Sequence, residues 1–237
     1  MSKTALEVHN QIAGNLRRGP YTLMNDDENA QFILLMLNEA KRQVEYERHW
    51  NILRRTITFD SAVGVRTYDT SDLAVVTSDP VVTTRRSRLV EDRRIAIPQF
   101  WDVTNGSSVF RLQRAARERI TDRALIVNNT QARIGQFAIY PVKEGLQVEF
   151  PWDPSEIRNY RFEVTTPQDP FTANADEAVE MEIYEEPVVM LATALAAEER
   201  GEELGLVAST WYERFDDALA EAIILDSDEV DYTLVAD

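Results

Sequence analysis

LMLNEAKRQVEYERHWNILRRTITF, residues Leu35–Phe59, decides the fold of this chain. In its first half Leu35, Met36, Ala40 and Val44, continuing from Phe32, return every third or fourth position, which is the period of an α-helix. From Thr56 the period drops to two. Ile57 and Phe59 alternate with Thr56, Thr58 and Asp60, the pattern of a half-buried strand. Trp50, Ile52 and Leu53 stand at the change, so a helical segment passes almost directly into a β segment.

Upstream, Leu6, Val8, Ile12 and Leu16 are spaced by about one turn, and Gly19-Pro20 stops the run. Asn25-Asp26-Asp27-Glu28 supplies an N-cap for a helix predicted from Glu28 to Arg48, whose apolar start FILLML predicts burial on most sides. Downstream, the spacing predicts strands over 63–68, 73–76, 81–84, 94–97 and 100–103. A helix is predicted over Phe110–Ile120, with Leu112, Ala115, Ala116, Arg119 and Ile120 on one side. Strands are predicted again over 124–127, 136–140, 146–150 and 160–165, with Lys143-Glu144-Gly145 as a turn. The Asp, Ser, Gly and Pro punctuation points to antiparallel strands instead of parallel βαβ units.

Beyond Pro167–Pro170 the helical period returns. Glu185-Glu186-Pro187 suits a first helical turn, and Val188, Leu191, Ala192, Leu195 and Ala196 form an apolar face that Gly201 can end. A second helix is predicted over 206–225, with Trp211, Phe215, Ala218, Leu219, Ala222 and Ile223 at helical spacing. The last stretch, DSDEVDYTLVAD, reads as an acidic hinge and a short alternating segment. The expected fold class is α+β: a helical bundle from the N- and C-terminal segments with an inserted antiparallel β-sandwich or barrel-like domain. The expected division is 1–55 for the N-terminal helices, 56–168 for the β insertion, 169–225 for the C-terminal helices and 226–237 for a C-terminal arm.

The chain has 237 residues, 44% of them hydrophobic, enough for one generous domain or a core with appended helices. It has no cysteine, which excludes disulfides, thiolate–zinc sites and thiol nucleophiles. The N-terminal MSKTALEVHNQIAGNLRRG lacks the apolar core of a secretory signal, and no stretch approaches the roughly 18 apolar residues of a membrane span. A soluble chain made in a reducing cytoplasm, without membrane association, is expected. The net charge of −16 is split unevenly: residues 1–137 hold 20 basic and 16 acidic side chains, residues 138–237 hold 5 and 25. Opposite halves of this kind let copies meet positive edge on negative edge, although acidic helices can equally be soluble faces. So acidic a second half argues against duplex DNA binding as a primary role, because phosphate contacts drive that affinity.

No phosphate-binding loop, dinucleotide fingerprint, nucleophile elbow or HExxH motif occurs. The two histidines, His9 and His49, both fall in predicted helices, which leaves serine chemistry without a base and gives no metal set. Asp153 in WDPS and Asp169 in PQDPF are candidates for a hydrolytic carboxylate pair, but each also suits a turn-initiating Asp-Pro. Glu198-Glu199 and Glu202-Glu203 resemble a solvated helix end. No catalytic residue, metal or cofactor is assigned. The strongest local feature is the arginine series Arg85, Arg86, Arg88, Arg93, Arg94, Arg111, Arg114 and Arg117, continued by Arg119 and Arg123. Arginine forks pair bidentately with carboxylates or phosphates, so this series could face an acidic neighbour or nucleic acid. No aromatic residues interleave it as single-strand stacking requires, which favours protein contact.

Several stretches together resemble the head-to-tail adaptor (connector, or tail tubular) proteins of tailed bacteriophages. They are Leu35–Phe59, QFAIYPV at Gln136–Val142, LQVEFPWDP, YRFEVTTPQDPFT, YEEPVVMLATALAAEERGEE and WYERFDDALAEAI. The resemblance covers nearly the whole chain in element order. It implies a non-enzymatic virion protein at the neck of the particle, made in the host bacterial cytoplasm. Such a protein forms a homo-oligomeric ring, usually a dodecamer. It binds the portal protein on one side and a tail or nozzle protein on the other. Packaged DNA passes through its channel during retention and ejection without sequence-specific binding. Subunit or portal contacts are then expected at the arginines above and at Val230, Tyr232, Leu234 and Val235, the last four in an arm that orders by strand addition or stays a disordered tail. Two other classes remain open: a tail-completion or baseplate subunit, and a tail-associated carbohydrate-active enzyme using Asp153 and Asp169.

Overall fold

The computed structural model describes residues 2–70, 88–89, 91–92, 97–98, 100–106, 109–124, 130–131, 134–142, 145–173, 176–204 and 207–231. The chain is mixed α+β and divides into two compact units: Met1–Leu53 with Gln168–Asp237, and Arg54–Pro167.

The first unit holds α1 (Ala5–Asn15), α2 (Glu28–Glu47) and two C-terminal helices; α3 (Arg117–Ala124) lies in the other unit. The C-terminal pair is α4 (Glu185–Leu204) and α5 (Ala208–Asp231). A capping box starts α1, with Thr4 Oγ1 accepting from Glu7 N–H (3.3 Å) and Glu7 Oε2 accepting from Thr4 N–H (2.8 Å). Asp27 caps α2 by accepting from Ala30 N–H at 2.8 Å. α4 is central, buried on nearly every side from Val188 to Ala197. Its alanines let α1, α2 and α5 pack closely around it.

On α2 the buried stripe is Ala30, Ile33, Met36, Leu37, Ala40 and Val44, whereas Leu35, expected inside, is 60% exposed. The stripe also buries Lys41 and Glu45, a pair 3.6 Å apart. Lys41 Nζ donates to the carbonyls of Gln168 (2.8 Å) and Asp169 (2.6 Å), and Glu45 Oε1 accepts from Gln168 N–H at 3.1 Å. Thus α2 binds the backbone of the returning chain, which supplies the hydrogen bonds that buried charges require.

The second unit holds strands β1 (Arg54–Asp60), β2 (Thr67–Asp69), β3 (Arg88–Leu89), β4 (Glu91–Asp92), β5 (Ile97–Pro98), β6 (Phe100–Asp102), β7 (Phe110–Arg111) and β8 (Gln113–Arg114). After α3 come β9 (Thr130–Gln131), β10 (Gln136–Val142), β11 (Gly145–Glu149), β12 (Asp153–Pro154) and β13 (Asn159–Thr165). One sheet runs β1-β13-β6-β7 with β3 also on β13; another runs β2-β11-β10-β8. Among the described residues these sheets are open, and none closes into a barrel. Pairing is mostly antiparallel, with β10–β8 and β12–β9 parallel. Val142 faces Gly145 across the β10–β11 hairpin, and Gly145 has φ 150°, a conformation that suits glycine alone.

Both sheets contribute to one aromatic core. Phe59 lies 4.9 Å from the ring of Tyr68, 5.6 Å from Tyr160 and 6.4 Å from Phe100 and Phe150, while Phe100 meets Phe137 edge-on at 4.3 Å. Each such pair adds about 0.5–1.5 kcal/mol to area burial.

Four expectations need correction. The helix predicted over Phe110–Ile120 is helical only from Arg117. Before that, Leu112 is fully buried and the chain steps from one sheet edge (β7) to the other (β8), with Leu112 N–H donating to Phe100 O and Gln113 N–H to Gly135 O. The strand predicted over 63–68 is a turn through Gly64 (φ 77°), and only its end pairs, as β2. Gly201 does not end α4: the chain kinks at Arg200 (φ −129°, ψ 23°), whose guanidinium lies over the Phe32 ring at 4.1 Å, and helix resumes to Leu204.

The fourth correction concerns the acidic hinge. α5 runs through it to Asp231, and Asp226 is fully buried. Its Oδ1 accepts from Asn51 N–H (2.9 Å), its carbonyl accepts from Asn51 Nδ2 (2.6 Å), and Arg48 Nη2 lies 3.2 Å from its Oδ2. Arg48 Nη1 also donates to Ile223 O at 3.2 Å. The carboxylate therefore ties the end of α5 to the segment after α2. The strands predicted over 73–76 and 81–84, and most of those over 94–97 and 124–127, lie outside the described residues.

Asp226→Ala leaves Arg48 and the Asn51 amide without this acceptor, so it should lower stability by about 3 kcal/mol in urea unfolding. Asp226→Asn, which keeps the acceptor oxygen, should lose distinctly less; equal losses would deny the anchor. A second expectation concerns His9, which is fully buried with Nε2 2.9 Å from Ala30 O and therefore protonated on that nitrogen. Burial pushes its imidazole below the ordinary 6.5, against the opposing pull of the Ala30 bond. The unfolded chain then takes up a proton that the folded one resists, so stability should decline as pH falls below 6.5. His9→Gln, which can still donate to Ala30, should flatten that part of the stability–pH curve.

Candidate functional site

Of the arginine series, Arg88, Arg111, Arg114 and Arg117 lie among the described residues, all in the β unit. Among the described residues, β7 and β8 stand at the ends of their sheets, where charged side chains discourage pairing with another strand. Arg111 on β7 sits opposite Trp101 in register, its guanidinium 5.7 Å from the indole. Arg114 on β8 is exposed and pairs in register with Phe137. Arg117 opens α3 and lies 4.0 Å over the Tyr140 ring. The Tyr140 hydroxyl donates to Gln147 Oε1 (2.7 Å) and sits 3.0 Å from Glu149 Oε2; burial, then the Glu149 contact, raises its pKa. Arg88 on β3 is half-buried opposite Thr165.

Four arginines expected to act together are thus carried by three short strands and a helix start of one unit. Two are stacked on aromatic rings, which holds their planes in fixed orientations. Arg85, Arg86, Arg93 and Arg94 lie outside the described residues, as do Tyr232, Leu234 and Val235. Val230, expected in an arm, is in the last turns of α5.

The acidic side of the molecule lies mainly on the C-terminal helices. Glu213, Asp216, Asp217 and Glu221 are exposed on α5, and Glu198 and Glu199 on α4. Glu198 accepts from the Tyr212 hydroxyl at 2.6 Å; burial and then this bond push the phenol up to about 12.

The two candidate carboxylates fall in different units. Asp153 lies in β12 with Oδ1 3.0 Å from Arg66 Nε, and Asp169 is exposed with its carbonyl held by Lys41. Sequence inspection missed Asp102, the most enclosed acid among the described residues of the β unit. Its burial alone would raise its pKa, but bonds from Thr104 Oγ1 (2.6 Å) and Arg158 Nη1 (2.7 Å) outweigh this and hold it below the usual carboxylate range. Arg158 also pairs with Glu156. The signal available was a D-x-T local turn at Asp102–Thr104. Among the described residues, no three His, Asp or Glu side chains gather closely enough to hold a metal ion. No described helix is long and apolar enough to cross a membrane.

No known family model matches this chain, and neither does any curated protein.

Arg114→Ala should change unfolding stability by no more than about 0.5 kcal/mol, because the side chain is exposed. Arg111→Ala and Arg117→Ala should each cost about 0.5–1 kcal/mol through the lost ring contacts. Thermal or urea unfolding of the three variants measures this; a loss above 2 kcal/mol in Arg114→Ala would make it a structural residue.

Proposed function

We propose that this chain is a non-enzymatic structural subunit of a tailed-phage particle, a head-to-tail adaptor that forms a ring between portal and tail or nozzle. In this reading the helical unit is a bundle, the β unit is a two-sheet sandwich inserted into it, and packaged DNA passes through the ring. The observation that carries the assembly part is the distribution of charge between the two units. One unit presents arginines along two sheet edges, and the other presents a row of carboxylates on α5. Surfaces of opposite sign at different places on one chain favour heterologous contact, in which each copy's basic edge meets the next copy's acidic helices. Such contacts repeat around a closed ring. The place of that ring in a virion comes from the sequence resemblance. A carboxylate-lined channel would repel DNA weakly and keep it mobile.

Electron microscopy of the chain mixed with its portal protein tests this reading. Rings stacked on the portal, weakened by high salt, are expected. A chain that binds tail proteins but no portal would instead be a tail or baseplate subunit. Because Asp226 anchors α5, the terminal segment should be tested by removing 232–237, which leaves that anchor intact, and not by cutting at 226.

A further inference from the structure

The helical unit contains a groove of about 330 Å³ between the first turn of α4 and the face of α5. Its apolar lining is Tyr184, Pro187, Ala218, Ala222 and Leu225, the last three on one helical stripe. The apolar surface does not end at the groove: Leu225 is 52% exposed and its neighbour Ile224 is 60% exposed. Three carboxylates, Glu185, Glu186 and Glu221, also line the groove. Glu185 and Glu186 suit the start of a helix for reasons of dipole alone, but Glu221 sits well inside α5. The one cation in the lining, Lys3, is already held, donating to Gln11 Oε1 at 2.8 Å and lying 3.8 Å from Glu185. The groove therefore combines an apolar helical stripe with three carboxylates.

We propose that this groove receives the Val81–Ser87 stretch of a second copy of the chain. This rests on the self-assembly reading above and names its contact. The stretch VVTTRRS holds two valines and two arginines and no acid. Other basic stretches match less well: Arg93-Arg94 follows Glu91-Asp92, Arg117–Arg123 includes Glu118 and Asp122, and Arg111, Arg114 and Arg117 are held in β7, β8 and the start of α3. The C-terminal stretch 226–237 is acidic and would be repelled. The valines suit the exposed apolar surface at Ile224 and Leu225, and arginine forks suit paired carboxylates better than lysine would. Because groove and occupant belong to different units, the contact between copies is head-to-tail and can close a ring.

The test uses the full-length chain and a fluorescently labelled peptide, Val81–Ser87. Anisotropy should show saturable binding to the chain, weakened by about tenfold or more when Glu186→Lys and Glu221→Lys are combined. Both side chains are exposed, so the fold should persist, as circular dichroism can verify. A peptide with Arg85→Glu and Arg86→Glu should not bind the wild-type chain, a readout independent of how the groove variant folds. In sedimentation, Arg85→Glu/Arg86→Glu and Glu186→Lys/Glu221→Lys chains should each lose self-association and regain it when mixed. Peptide binding indifferent to both reversals, or absent for every chain, overturns the proposal. Binding only to the Arg85→Glu/Arg86→Glu chain, when the wild-type chain sediments as a monomer, also overturns it, since the groove would then be filled by the chain's own segment. Rings that survive groove reversal sink the docking site and leave the ring reading standing. Groove-specific peptide binding by a chain that stays monomeric upholds the groove's ligand and sinks the ring.

Discussion

The antiparallel ladder between β1 and β13 is what permits the rest of the molecule. It pairs each residue from Arg54 to Asp60 with one from Asn159 to Thr165, so the strand ends that lead into the helical segments, Arg54 and Thr165, are direct partners. A helical core built from both ends of the chain needs its two halves brought together, and the entropy of closing a long loop opposes that. The ladder bears this cost within the β unit, where Phe59, Tyr160 and Phe162 anchor it in the aromatic core. In the helical unit, Lys41 and Glu45 then hold the backbone of Gln168 and Asp169 as the chain resumes.

Both buried charge clusters of the helical unit act on backbone. Lys41–Glu45 holds an incoming strand end, and Arg48–Asp226, with Asn51, holds an outgoing helix end. A buried ion pair contributes little net stability compared with well-packed apolar groups, because desolvation offsets its attraction. What it does supply is direction, since an ill-matched register would leave charges buried without acceptors. The Asp226 contact with Asn51 and Arg48 selects one axial position for α5.

Exposed sheet edges pose a different problem. β7 and β8 end their sheets, and each carries an arginine, the sort of charge that discourages strand-to-strand aggregation. A side chain that blunts an edge against random pairing can also select a partner of opposite sign. The carboxylates of α5 supply that sign elsewhere on the same chain. Solubility and assembly can thus be served by the same residues, which is why the basic edges and the acidic helices are read together.

By itself the sequence determined the α+β class, the change of period near Thr56, the capped start of α2, and the helical spacing of α1, α4 and α5. These depend on neighbours within one or two turns or along one strand, which periodicity records. The step from β7 to β8 at Leu112 was hidden, because a helical spacing of apolar residues there is equally met by strands that alternate between two sheets. Asp226 was hidden as well. It continues the Ala218–Ala222 stripe of α5, yet a carboxylate in an acidic run looks solvated until Arg48 and Asn51 are placed against it. The groove at α4 and α5 likewise joins residues distant in the chain. Only tertiary structure could decide these points, because whether a charge is buried depends on partners that sequence spacing does not specify.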